Sequence, residues 1–391
     1  MSGRAAAVPA VRERWKIGLD ARALVLVVAA LQAFGLAVLY SASASEASRQ
    51  YDASAYYLTR QLTGVLAGIV VFAIAAKLDA ERWRKWAWPL MLISIVLMLV
   101  TILPFTTSIA PRINGSRRWV LGFQPSELAK VAVVVWTAML IVKKADKLRR
   151  LTKGILPFVV IVGFLGLLAV LEPDLSAAMM FTLITGIVLF AGGVRIGHFV
   201  ALGVCAVPLL WHEVQRLQYT LLRITAFLDP GAAPLEAGHQ LRQSLIAVGS
   251  GEWLGVGFGE GRQQNGFVPY PYSDFIGSNV GEEWGFFGML VLIIAFALYT
   301  YLGFRIAAGA RSPFLRLVAI GVTTTTAVTA FLHIGVVVGL VPTTGLTLPF
   351  FSYGRSNLLV SFLMTGILVN IGSERVRVFG ERATNPVAVP A

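Results

Sequence analysis

Cysteine is almost missing from this 391-residue chain, which has only Cys205. A lone cysteine excludes an intramolecular disulfide and offers nothing for a cysteine metal cluster. Charge is also scarce. Only 14% of residues are charged, against about 25% in a soluble globular chain, so an ordinary soluble domain is excluded. Acidic residues are the rarer sign, 20 against 33 Lys and Arg, for a net charge of +13. No basic stripe is interleaved with exposed aromatics. The excess therefore reads as membrane topology and membrane-surface attraction, not as nucleic-acid binding. A glycine run at 249, 251, 255, 257 and 259 lacks the Lys-Ser/Thr ending and the preceding strand of a phosphate loop, which argues against nucleotide binding. No internal repeat of the transporter kind stands out, and the loops hold no Ser–His–Asp set.

What the chain does have is oil. Apolar residues make up 57% and the mean hydropathy is +0.74. They come in runs such as Ala23–Leu39 and Pro89–Leu103. About 20 apolar residues are needed to cross ~30 Å of hydrocarbon as helix. The pattern predicts an all-α polytopic membrane protein with about ten spans, at 23–41, 60–77, 86–104, 126–142, 154–171, 175–193, 196–212, 284–304, 316–340 and 357–373. With a cytoplasmic N-terminus, two-thirds of the 33 Lys and Arg fall in short inner segments, as the positive-inside rule requires. An even span count then puts both termini in the cytoplasm. The N-terminus opens on mixed polar residues and runs into a span long enough to be retained, unlike a cleaved signal peptide. Residues 1–20 and 376–391 read as flexible tails. They flank a membrane domain over 21–375 with a large outside loop at 213–283 between spans seven and eight. Two medium outside loops lie at Phe105–Pro125 and Val341–Ser356.

Within this frame the segment 249–288, GSGEWLGVGFGEGRQQNGFVPYPYSDFIGSNVGEEWGFFG, is anomalous. It carries glycines, Arg262, Asp274, Glu282 and Glu283 between apolar blocks. Irregular backbone at membrane depth persists only where protein buries it or water reaches it, so the segment is the first candidate site. Pro269 and Pro271 predict an extended approach to a helix that starts near Ser273 or Asp274. Asp274 is then either a helix cap or a general base at the membrane–water boundary, kept ionised by the helix end.

Four other motifs bear on chemistry. In GSRRWVLGFQPSELAK, 115–130, Pro125 and Glu127 suit a first helical turn. Lys130 follows Glu127 by three residues, at salt-bridge spacing. The motif is either a helix-end ion pair beside solvated Arg117 and Arg118, or an anionic-lipid site, since intramembrane ionisable residues tend to face a cavity. In LEPDLS, 171–176, Glu172 and Asp174 form a short turn with an Asp174 cap, or a carboxylate pair. RITAFLDP and GHQLRQSLIAVGSG, 223–230 and 238–251, give the long loop a polar helical face that includes Arg223, Asp229, Gln240, Arg242 and Gln243. LVPTTGLTLPFFSYGRSN, 340–357, shapes an outside loop with Tyr353 and Arg355 before the last span. His333, alone on an apolar helix, reads as buried and hydrogen bonded rather than as a metal ligand.

In this order, RRW…FQPSELAK, EPDL, AFLDP, GHQLRQSLIAVGSG, GEGRQ…YSDF, GEEWGFFG and LVPTTGLTLPFFSYG resemble the SEDS family (shape, elongation, division, sporulation) of polytopic peptidoglycan glycosyltransferases over about residues 20–375. AFLDP, GEGRQ and TTGLTLPF resemble its division-type members, while GEEWG leans toward the elongation type. The resemblance implies polymerisation of lipid II outside the cytoplasmic membrane of a bacterium. An acceptor sugar hydroxyl attacks a lipid-linked donor with inversion, and undecaprenyl diphosphate leaves. It implies Asp274 as the essential loop aspartate, and Trp119, Glu127, Lys130, Glu282, Glu283 and Tyr353 match its motif positions; Arg117, Arg118, Arg262 and Arg355 join these as candidates for holding substrate. No cofactor is otherwise implied, though a divalent cation, Mg or Mn, suits a diphosphate donor. Implied partners are a class B penicillin-binding protein transpeptidase and other division-complex membrane proteins. The chain departs from the family pattern at Tyr272 (histidine usual), Arg355 (glycine usual) and His333 (asparagine usual). At Gly122, elongation-type members carry arginine. A lipid II flippase and a non-catalytic scaffold are the rival readings.

Overall fold

Apolar segments in lipid must satisfy every backbone N–H and C=O internally, and helices do so. The computed structural model describes residues 11–112, 116–148, 150–201, 203–204, 223, 225–228 and 235–379. It consists of helices α1 (Leu19–Tyr51), α2 (Tyr56–Lys77), α3 (Arg82–Ile102), α4 (Pro125–Lys143), α5 (Leu156–Leu171), α6 (Leu175–Ala191), α7 (Leu235–Ser250), α8 (Ile276–Ala308), α9 (Pro313–Val337) and α10 (Arg355–Ile371). Seven helices among the described residues are long and apolar enough to cross a membrane, and α6 and α10 are shorter apolar helices. The expected spans one to six and eight to ten each map onto one of these nine. Span seven, at 196–212, lies mostly outside the described residues, as does Cys205; residues 196–201 are helical.

Two helices outrun their expected spans. Helix α1 continues through SASASEASRQ to Tyr51 and ends on Asp52 in the left-handed region, φ 53°. Its 33 residues reach about 50 Å at ~1.5 Å per residue, longer than the ~30 Å of hydrocarbon. Helix α8 starts at Ile276, close to the start near Ser273 or Asp274 read from the motif but well before the apolar span at 284, because its first turns are polar but buried: Asn279, Glu282 and Glu283 are each 2% exposed. Hydropathy cannot see a polar turn that protein covers.

The centre of the bundle is α4 and α9. Their apolar windows are 89% and 78% buried, against 28–39% for the other long helices, so those others present a broad face to lipid. Small residues allow close approach, as expected where lipid leaves packing as the main driving force. A methyl on Gly321 of α9 would meet Val134 of α4 at 2.6 Å, and one on Gly366 of α10 would meet the Phe72 carbonyl of α2 at 2.7 Å. Within and beside the segments expected to be flexible tails, β1 (Val11–Ile17) runs antiparallel to β2 (Ser373–Phe379), while residues 1–10 and 380–391 lie outside the described residues. Gly18 N–H also donates to Gly372 O, 3.2 Å. The start of α1 and the end of α10 therefore share one face of the bundle, the parity that an even number of spans demands.

Candidate active site

Asp274 lies just before α8, in a run of turns. Ser273 N–H donates to Tyr270 O, 3.0 Å, and Tyr270 takes φ +53°, so the approach is not the extended one the two prolines suggested. The N-cap position of α8 is Phe275, and no side chain of the local chain caps the helix. Asp274 is therefore no helix cap. Its Oδ1 accepts from Ser273 Oγ, 3.0 Å, and Oδ2 faces the bare Cα of Gly345, where an added methyl would sit 3.8 Å away. Burial raises its pKa above the usual carboxylate range. The Ser273 hydroxyl and the charges of Arg223 and Arg118 pull the other way, while Asp174 adds to the rise. Burial is the largest influence on this carboxyl, so its raised proton affinity comes from desolvation. A carboxylate with raised proton affinity is a better acceptor of a proton near neutral pH.

Three segments meet here. The 340–354 loop is tied to Asp274's neighbours: Ser352 Oγ donates to Ser273 O, 2.7 Å, and accepts from Leu348 N, 2.8 Å. Tyr353 N–H donates to Tyr272 O, 2.8 Å. Gln61 of α2 donates to Ser352 O, 3.0 Å. Ser176 Oγ donates to Thr344 O, and Arg223 donates to Thr343 O, 3.0 Å. His333 is buried with both ring nitrogens engaged, by Leu346 O at 2.7 Å and Gly277 N at 3.3 Å, which makes it a hydrogen-bonded histidine and not a metal ligand. Asp229 lies outside the described residues.

The anion-binding candidates divide. Arg117 donates to Ala110 O (3.0 Å), Leu103 O (2.9 Å) and Thr106 Oγ1 (3.0 Å), and so holds its own loop together. Arg118 donates to the carbonyls of Glu172 and Pro173 and lies near enough for its charge to act on Asp274. Trp119 is half-buried beside them. Glu127 and Lys130 form a closed, buried ion pair at 2.8 Å, the helix-end reading of that motif. Asp174 caps α6 through Ala177 N, 3.1 Å. Glu172, 2% exposed, meets Thr101 Oγ1 at 2.5 Å. Burial pushes its pKa up to about 8, against the Thr101 contact.

The anomalous segment explains its own glycines. Helix α8 is broken at Gly285, φ 61°, ψ −156°. The 251–257 stretch docks against the break: Val256 N–H donates to Glu282 O, 3.0 Å, Gly257 N–H to Glu283 O, 3.1 Å, and Phe286 N–H to Glu252 O, 2.8 Å. A side chain at Gly251 or Gly255 would collide with backbone at about 2 Å. The glycines serve helix–loop contact, not phosphate. Glu282 accepts from Arg262 N, 2.8 Å, and Gln263 N, 3.1 Å, and Glu283 accepts from Ser41 Oγ of α1. These residues pin the loop to the bundle. The Arg262 side chain is exposed. Among the described residues no three His, Cys, Asp or Glu side chains gather to hold a metal ion.

A family model described as cell cycle protein, covering FtsW, RodA and SpoVE, matches residues 21–377. The chain belongs to this FtsW/RodA/SpoVE family. A probable peptidoglycan glycosyltransferase FtsW of Trichlorobacter lovleyi is 39% identical over 354 residues, 90% of this chain and 92% of the relative. Stage V sporulation protein E of Bacillus subtilis is 34% identical over 352 residues, covering 89% and 95%. Among solved structures, a chain of a peptidoglycan synthase complex that coordinates polymerization and crosslinking aligns with TM-score 0.73 at 26% identity, over 90% of this chain and 97% of that one. The rod shape determining protein RodA of Thermus thermophilus aligns with TM-score 0.65 at 25% identity, covering 90% and 95%.

Within the FtsW/RodA/SpoVE frame the departures become legible. Tyr272 stacks on Tyr57 of α2, centroids 4.5 Å apart, with Tyr353 edge-on to both. Burial raises its phenol above the ordinary value, so it stays neutral. Arg355, exposed at the first position of α10, places Nη2 3.8 Å from where a Cβ on Gly122 would stand. Its guanidinium thus occupies the space left open by the glycine. Sequence reasoning missed Tyr57, Gln61, Ser352 and Gly345. The Tyr56-Tyr57 pair followed by Arg60-Gln61 was the available signal: interfacial aromatics next to polar groups just inside a span.

Proposed function

We propose that this protein is a division-type peptidoglycan glycosyltransferase that polymerises lipid II into glycan strands at the outer face of the bacterial cytoplasmic membrane. The observation that carries the reading is Asp274: a carboxyl with raised proton affinity, free of any capping duty, set where three outer segments meet beside the charges of Arg118 and Arg223. The acceptor 4-hydroxyl attacks the anomeric carbon of the lipid-linked donor from the face opposite the diphosphate. The new C–O bond forms as the bond to the diphosphate breaks. Asp274 takes the hydroxyl proton, and Arg118 with Arg223 offsets the charge that develops on the leaving diphosphate. Grooves between the spans take the polyprenyl tails. A divalent cation would arrive with the donor, since magnesium needs only one or two protein carboxylates beside substrate phosphates.

Both termini lie in the cytoplasm on this reading, supported by their shared face and by the distribution of Lys and Arg. A class B penicillin-binding protein is the partner, supported by the synthase-complex relative. The test is purified protein with lipid II. Wild type makes glycan chains and Asp274→Ala makes none. Transport of lipid II across vesicles with no polymer, even when the partner is present, would sink the polymerase reading in favour of a flippase. Intact growth of cells carrying Asp274→Ala would favour a scaffold. Tagged protein concentrated at the septum supports the division role, and patches along the side wall overturn it.

A further inference from the structure

The first turn of a helix has N–H groups with no partner inside the helix, and the nearest preceding Asp, Ser or Thr usually takes one. At α8 this does not happen. Ser273 and Asp274 lie just before the N-cap Phe275, yet neither side chain caps the helix. The acceptor comes from another helix: the N–H of Gly277 donates to Nε2 of His333 in α9, 3.3 Å. The other ring nitrogen, Nδ1, lies 2.7 Å from Leu346 O. A carbonyl only accepts and an amide only donates, so these two contacts together fix one neutral tautomer, with the proton on Nδ1. The approach depends on Gly277, since a methyl there would stand 3.3 Å from Cδ2 and Nε2 of His333. The two residues that the imidazole joins flank Asp274. Gly277 follows it in the first turn of α8, and Leu346 adjoins Gly345, whose Cα faces Oδ2.

We propose that His333 is a positioning residue that caps α8 from outside and thereby keeps the Asp274 carboxyl free for proton transfer. This rests on the assignment of Asp274 as the base. Without the imidazole, the buried Gly277 N–H has lost its acceptor, and Asp274, three residues before it, stands at capping spacing. A carboxylate drawn into the cap is stabilised as an anion by that N–H and turned away from the incoming hydroxyl. Loss of His333 therefore converts a base into a cap.

The experiment is initial-rate polymerisation of lipid II by full-length protein in detergent, with thermal unfolding in parallel. His333→Leu removes both hydrogen bonds. The expected result is kcat reduced ~100-fold, the scale of a 1 Å misplacement of a reacting group, with KM near the wild-type value and the melting temperature little changed, because Asp274 takes over the cap. His333→Asn restores a donor and an acceptor and should recover most of the lost kcat. Gly277→Ala keeps the imidazole but puts a methyl 3.3 Å from its Cδ2 and Nε2, lengthening its contact with the N–H, and should lower kcat on the same order. Wild-type kcat in His333→Leu overturns the proposal, as does a parallel fall in kcat and melting temperature that His333→Asn does not repair. If His333→Leu fails to fold, Gly277→Ala decides, and wild-type kcat there overturns the proposal. Asp274→Ala run alongside separates the two readings. If it is active, the base assignment falls and this inference with it. If it is inactive beside a fully active His333→Leu, this inference alone falls.

Discussion

Two acidic residues near helix starts, Glu127 and Asp274, show how similar sequence signals end in different chemistry. Glu127 stands in the first turn of α4 with Lys130 against both carboxylate oxygens, 2.8 Å away, the two side chains buried together. Asp274 stands just before α8 with one serine hydroxyl in contact and two arginines acting on it through their charge. The first carboxylate has a full partner and nothing left to give. The second is desolvated without a direct counter-charge, which is the condition that raises proton affinity and marks a functional group more often than a structural one.

The contrast can be broken most sharply at Asp274. Asp274→Asn keeps the shape and the Ser273 contact but cannot accept a proton. Polymerisation should fall by at least the 10²–10⁴-fold typical of a lost general base, with unchanged thermal unfolding, measured as glycan product from lipid II. At the other carboxylate the order reverses. Lys130→Met leaves a buried charge unpaired and should cost about 3–5 kcal/mol of stability, read as a large drop in melting temperature, and adding Glu127→Gln should recover most of it. If Lys130→Met instead folds normally and loses only activity, the pair belongs to a lipid site and the comparison fails.

Gly255→Ala probes the loop that frames the site. With φ +80° and backbone about 2 Å from the added methyl, the 251–257 stretch must leave the α8 break. Stability should fall by more than ~1–3 kcal/mol, the range for a strained backbone conformation, accompanied by protease cleavage in the loop.

Glu172 gives a pH test. Its pKa rises from 4.5 to about 8 on folding, so the folded state binds more protons than the unfolded one between those values. Its burial therefore lowers stability progressively as pH rises through that window and has no such effect below pH 4.5. Glu172→Gln, which mimics the protonated form, should raise the melting temperature relative to wild type at pH 9 and leave it nearly unchanged at pH 4. An equal effect at both pH values would show that folding leaves the Glu172 pKa unshifted. The smallest effect is expected at Tyr272. Tyr272→His loses part of the stack on Tyr57, worth about 0.5–1.5 kcal/mol, while polymerisation stays within a few-fold of wild type.

Much of the bundle was legible because lipid imposes a one-dimensional rule: a span must be long and apolar, and that shows in any window of sequence. The rule fails where protein, not lipid, surrounds a helix. The first turns of α8 carry Asn279, Glu282 and Glu283, so hydropathy started the helix eight residues late. The serine-rich end of α1 stays helical for the same reason: Ser41, Ala42, Ser43 and Ala47 are buried against protein, so packing and not apolarity holds it. At the site, residue types were readable but their employment was not. Arg117 has the chemistry of a phosphate ligand and holds loop carbonyls instead. Glycine spacing looked like a phosphate loop and proved to be a contact with a broken helix.

The sequence alone determined that the chain crosses the membrane many times, that its positive charge clusters in short segments between spans, and that Asp274 lies in an irregular segment between apolar blocks. Those properties are sums over neighbouring residues, and local composition is enough to compute them. Only the tertiary structure decided that Asp274 does not cap α8, that His333 from α9 takes that place, and that burial outweighs the arginine charges around the carboxyl. Those outcomes depend on which groups, distant in the chain, reach the same few ångströms, and hydrogen bonding and desolvation act over no longer range than that.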